Sequence, residues 1–213
     1  AGVDTIKGAG GEDIISLGSS DSASDIVIFN STSGLDIINQ FVAGASGDIM
    51  KFTDNLVGGI NTSTGSDSTD DLISVDFIVN AQNSSINTNH LVIGFNTAIT
   101  QNGLSSGSSI DFTGAGISPS QIIGSIETSL ENANSGSGSG LLSGAAAQVT
   151  QAGTLDKKLL LFTDGGSGSA EDIAIVYYNE GGVSETDFSG ELSLTCVIKS
   201  VDIATLTHEN FVG

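Results

Sequence analysis

The chain has 213 residues, with 25 acids against 5 basic residues, all of them lysine, and a formal net charge of -20. That balance excludes nucleic acid and anionic membrane as partners, because both are gripped by basic patches. It also makes self-repulsion an obstacle to compaction that bound divalent cations would relieve. Hydrophobic residues reach 38% and mean hydropathy is +0.19, too apolar for a solvated disordered tail.

From residue 1 to about 54, Gly/Asp turns alternate with short apolar runs: DTI, EDIISL, DIVIF, LDIINQF and DIMKF. Each run is too short for a helix and follows a turn-forming acid, so each reads as a strand. Asp4 and Asp13 lie nine residues apart. Gly2 and Gly11 precede them by two positions, and Ile6 and Ile15 follow by two. This is the register of the nonapeptide repeat GGxGxDxUx, with Gly8 at its first position, Ala9 in place of its second glycine and Gly10 and Gly11 following. Six residues of such a repeat make a tight turn and three make a short strand with one apolar residue pointing inward. Glycines admit positive φ and expose carbonyl oxygens, and the aspartate adds a hard anionic oxygen. Stacked turns of this kind suit Ca²⁺, which takes six to eight oxygens in flexible geometry. Zn²⁺ would call for Cys or His, which are scarce. Two repeats per coil place same-side turns about eighteen residues apart, so Asp21 falls near the register of Asp4. No acid occupies the counterpart of Asp13 near position 31, which Asp25 and Asp36 flank. The expectation is a short, degenerating roll with two or three ions, bound by Gly2, Asp4, Gly8, Gly10, Gly11, Asp13, Asp21, Asp25, Asp36 and Asp48.

Beyond a polar stretch at 55–70, LISVDFIVN (72–80) and HLVIGF (90–95) read as strands. ISPSQIIGSIETSLENAN is the one clear helix, around 119–133. Ser118 is its N-cap, Pro119 its first residue and Gln121 its capping-box partner. Ile122, Ile123, Ile126 and Leu130 form its apolar stripe. SGSGSG at 135–140 is a linker or loop. KLLLFTD (158–164), DIAIVYYN (172–179) and ELSLTCVIKSV (191–201) are strands, and DIATLTHENFV is a helical turn followed by a tail. Cys196, the single cysteine, reads as a small buried hydrophobe, so no intramolecular disulfide forms. No apolar run approaches the roughly 20 residues that span a bilayer, and no cleavable leader is visible. The fold expected is mainly β: a short N-terminal parallel β-roll and its cap (1–54) continuing into a β-rich assembly region (55–213), as two domains or one continuous domain.

The repeat residues resemble the RTX (repeats-in-toxin) family of type I secreted proteins. The next stretch is similar to the segment that caps such rolls in serralysin-type C-terminal domains. It carries Asp25 and Phe29, then Gly34, Asp36, Ile38 and Phe41, then Gly47, Asp48 and Phe52. The ending GELSLTCVIKSVDIATLTHENFV resembles those of large RTX adhesins and surface-layer proteins. The N-terminal likeness covers about 54 residues and the C-terminal one about 25. The resemblance implies an uncleaved C-terminal export signal, one-step secretion from a Gram-negative bacterium, and folding on meeting external calcium.

The metalloprotease site of serralysins is absent from the sequence. HExxH is required, and His208-Glu209 is followed by Asn210 and Phe211, with His90 the other histidine. No nucleophile elbow or phosphate loop is present either, so the chain reads as non-enzymatic. The expected function is a calcium-binding, secreted structural protein that assembles with itself into a surface layer or filament, with cell-surface polysaccharide as a further candidate partner. Alternatives are the C-terminal module of an RTX adhesin and the export and folding domain of a larger exoprotein. Because residue 1 already lies inside a repeat, that first turn is expected to be either a cut site or a surface on which another subunit stacks.

Overall fold

The structure, a computed structural model, describes residues 2–18, 22–30, 35–53, 77–79, 92–99, 109–134, 157–165, 170–179 and 188–212. It is mainly β, with parallel and mixed sheets and one α-helix among the described residues. The expected N-terminal runs become β1 (Thr5–Lys7), β2 (Ile14–Ser16), β3 (Ile26–Phe29), β4 (Ile37–Asn39) and β5 (Ile49–Phe52). They are dealt alternately to two sheets. β1, β3 and β5 pair in parallel in one, and β2 and β4 in the other. The chain therefore winds back and forth between two faces.

The winding step is longer than the repeat alone predicts. Thr5 pairs with Ile26, Ile26 with Ile49, and Ile14 with Ile37, which are steps of 21, 23 and 23 residues. The register partner of Asp4 is thus Asp25 and that of Asp13 is Asp36. The expectation that Asp21 stacks near Asp4, and that Asp13 has no acidic counterpart, fails on this point. Its physical reason is the length of the connections after β2 and β4, which exceed six-residue turns.

The remaining strands are β6 (Phe77–Val79), β7 (Val92–Ala98), β8 (Lys157–Thr163), β9 (Glu171–Asn179), β10 (Leu192–Val201) and β11 (Phe211–Val212). One sheet has the order β1-β3-β5-β11 and the other β2-β4-β10-β9-β8-β7-β6. Pairing crosses the expected boundary at 54 twice, because β10 runs parallel to β4 and β11 parallel to β5. The expected C-terminal tail therefore ends as a strand, after two 3-10 turns at Ile203–Thr205 and His208–Asn210. The position of His90 and most of 72–80 lie outside the described residues.

The central strands of the larger sheet, β7 to β10, are largely buried on both faces, which explains their unbroken apolar runs. Period-two alternation splits these central strands between two cores. In β9, Ile173 and Ile175 face the smaller sheet, while Ala174 and Val176 face the helix side. Cys196 lies wholly buried in the first of these cores, as expected. Helix α1 (Pro119–Asn134) packs on the second through Ile122, Ile126 and Leu130, all fully buried, with Ile123 partly so. Its start is capped as the sequence predicts. The Gln121 N–H donates to Ser118 Oγ at 3.4 Å, and the Ser118 N–H donates to Gln121 Oε1 at 3.0 Å. Phe29 stacks on Phe52 across neighbouring coils, with centroids 5.5 Å apart.

Candidate metal centre

Each N-terminal strand is entered through an aspartate, and these aspartates form two ladders. On the smaller sheet the Asp4 N–H donates to Asp25 Oδ1 at 2.9 Å, and the Asp25 N–H to Asp48 Oδ1 at 2.9 Å. On the larger sheet the Asp13 N–H donates to Asp36 Oδ1 at 3.1 Å. A second bond returns at every step: the N–H groups of Ile26, Ile49 and Ile37 donate to the carbonyls of Asp4, Asp25 and Asp13. A carboxylate that receives backbone N–H groups is stabilised while buried, which is why Asp25, Asp36 and Asp48 tolerate burial. Burial nonetheless raises the Asp36 pKa; the Asp13 N–H opposes the rise and the Asp13 charge adds to it.

The expected ligands therefore divide by what their oxygens already do. Asp48 is fully engaged, since its Oδ2 accepts the Val42 N–H at 2.8 Å. Asp25 and Asp36 each give one oxygen to the ladder. Asp4 and Gly2 are exposed. Asp13 differs from all of these: its Oδ2 is sealed from solvent and has no hydrogen-bond partner. The turn that carries it, Gly8 to Glu12, has positive φ at Ala9 (72°) and Gly11 (114°). Gly8 sits so close that an added Cβ would lie 2.9 Å from that same oxygen. An anionic oxygen held dry without a donor is costly, and a hard cation bound by it and by turn carbonyls would relieve that cost. The Asp13 turn thus fits calcium. The ladder aspartates do not come together as a three-carboxylate cluster among the described residues, and Asp21 lies outside them.

Sequence reading missed a second acidic group. Asp111, Asp164 and Asp172 bring carboxylate oxygens within 4.8 Å of one another. Asp164 directly follows β8 and Asp172 lies in β9, and the antiparallel register of that pair sets them side by side. Asp164 accepts the N–H groups of Phe112 (3.1 Å) and Asp172 (2.9 Å). Asp172 accepts the Ser200 N–H at 3.0 Å, where β10 slips register and Ser200 has φ 59°. Thr113 Oγ1 donates to Asp172, and Lys199 Nζ donates to Thr113 Oγ1 at 3.1 Å. The Asp164 pKa is raised to about 6, first by burial, against the two N–H bonds, with the charges of Asp172 and Glu171 adding to the rise. The cluster ties the loop before α1 to the β8–β9 hairpin and the β10 bulge. The signal for it was the pair of acids flanking a Gly/Ser loop between two apolar runs.

No family model, curated protein or solved structure matches the chain.

Proposed function

We propose that this chain is a calcium-stabilised, secreted structural protein of the RTX kind, in which residues 2–53 form a short β-roll and the whole assembles with itself outside the cell. The role is structural and not catalytic. The observation that carries the reading is the Asp13 turn, where a nonapeptide-repeat aspartate presents a dry, unpartnered oxygen beside a glycine that leaves it room. The alternation of parallel strands between two sheets supports the roll. Calcium would supply a multivalent positive charge for turn oxygens to surround. The chain's own residues do the rest: Asp13 and the 8–12 carbonyls bind, Ala9 and Gly11 hold the turn open, and the ladder fixes one turn above the next. An ion bound only by the folded form stabilises it by mass action, so a chain of net charge -20 would fold where calcium is plentiful.

Two measurements test this. Thermal unfolding of the wild type should rise with calcium and fall with chelator, and Asp13→Asn should lose most of that response while retaining the ladder. Electron microscopy with calcium should show ordered assemblies that chelator dissolves. A melting temperature indifferent to calcium would remove the ion from the reading, and soluble monomers at millimolar calcium would remove the assembly.

A further inference from the structure

Within the ladder every internal coil obeys one rule. It hands the N–H of its aspartate to the carboxylate of the next coil's aspartate and receives an N–H at its own aspartate carbonyl. The two ends of the stack obey it differently. At the β5 end the rule is closed off. The Asp48 N–H turns back to the Val42 carbonyl at 2.7 Å, Asp48 Oδ2 takes the Val42 N–H, and β11 lies along β5. On the larger sheet the Asp36 carbonyl receives the Val197 N–H of β10. At the other end β1 and β2 are both terminal strands of their sheets. There Asp4 is exposed, and Asp13 Oδ2 has no hydrogen-bond partner and is shut away from water as well. The apolar side chains Val3 and Ile14 stand 66% and 76% exposed there, whereas Ile37, one coil on from Ile14, is packed against the helix-side core.

We infer that the β1/β2 edge is a docking edge for one further polypeptide coil of the same Gly-x-Asp repeat, laid parallel onto both strands. Such a coil offers one aspartate N–H above Asp4 and another above Asp13, and it would cover Val3 and Ile14. The ladder uses one oxygen of each aspartate, so this role leaves a second oxygen for a cation and stands apart from the calcium reading. The β5 end of a second copy is a poor occupant, because its Asp48 N–H is already spent and β11 covers its edge.

The test extends the full chain, placing a second copy of residues 4–24 directly ahead of Asp4, so that the added coil is offered at high effective concentration. Hydrogen exchange should show the added coil's first aspartate amide protected, and the melting temperature should rise by roughly 2–4 °C, as about 1 kcal/mol gives for a chain of this size. Asp4→Ala should abolish that protection, whereas Asp4→Asn should keep it, because an amide carbonyl still accepts an N–H. An added coil that exchanges freely and leaves the melting temperature unchanged overturns the proposal. Equal loss in the Asn and Ala variants would mean that a cation, and not the ladder, holds the edge, and would also overturn it. If the unextended chain dimerises and Asp4→Ala makes it monomeric, the edge belongs to a second copy instead.

Discussion

Asp13 and Asp164 are both carboxylates in strained circumstances, and their circumstances differ. Asp13 has an oxygen without a donor. Asp164 has donors on both oxygens but sits among other acids, and it resists ionisation. An unfolded aspartate titrates near 3.8 and the folded Asp164 at about 6. Between those values the folded chain carries the extra proton at this group, so its contribution to stability is fully present below about 3.8 and is lost as pH rises through about 6. Asp164→Asn cannot titrate. In chelator, the melting temperature of the wild type minus that of the variant should therefore fall from pH 4 to pH 6 and level off above. A difference that stays constant across that range would mean that Asp164 ionises normally.

At the scale of elements, one side chain anchors the approach to the short C-terminal strand, beside its pairing with β5. Asn210 is fully buried. Its Oδ1 accepts the N–H groups of Gly44 (3.0 Å) and Thr207 (2.9 Å), and its Nδ2 donates to the carbonyls of Gly44 (3.2 Å) and Asp48 (2.8 Å). Truncating it takes this partner from the buried Asp48 carbonyl and from the part-buried N–H groups of Gly44 and Thr207, and a buried group left unmatched costs about 1–3 kcal/mol. Asn210→Ala should lower the melting temperature by several degrees and release the β11 amides to exchange, while amides of β9 stay protected. Fast exchange throughout would instead mean that β11 is integral to the whole fold. This element was not legible in the sequence. A two-residue strand has no periodicity, and its partner, Met50, lies some 160 residues away from Phe211. By contrast the helix was legible, because cap, first proline and apolar stripe are local signals that agree. The aspartate positions were legible but their stacking was not. Two repeats fix a nine-residue spacing, yet connection length sets the coil, and nothing within 17–25 signals how much chain that turn takes. The acidic cluster at Asp111, Asp164 and Asp172 depends on strand register, which a hairpin with a long Gly/Ser loop does not fix.

At the scale of the molecule, β4 pairs with β10 and β5 with β11. The last strands of the N-terminal coils therefore find their neighbours about 160 residues further along the sequence. Loops of such length must close before the contacts that reward closure exist, and folds dominated by non-local pairing form in roughly milliseconds to seconds. Pulse-labelled hydrogen exchange during refolding should show β4 and β5 gaining protection together with β10, not before it. Early protection of 26–52 alone would mean that the coils nucleate independently. Otherwise the order of events is fixed by the wiring: β4 and β5 each keep one edge open until β10 and β11 have been made.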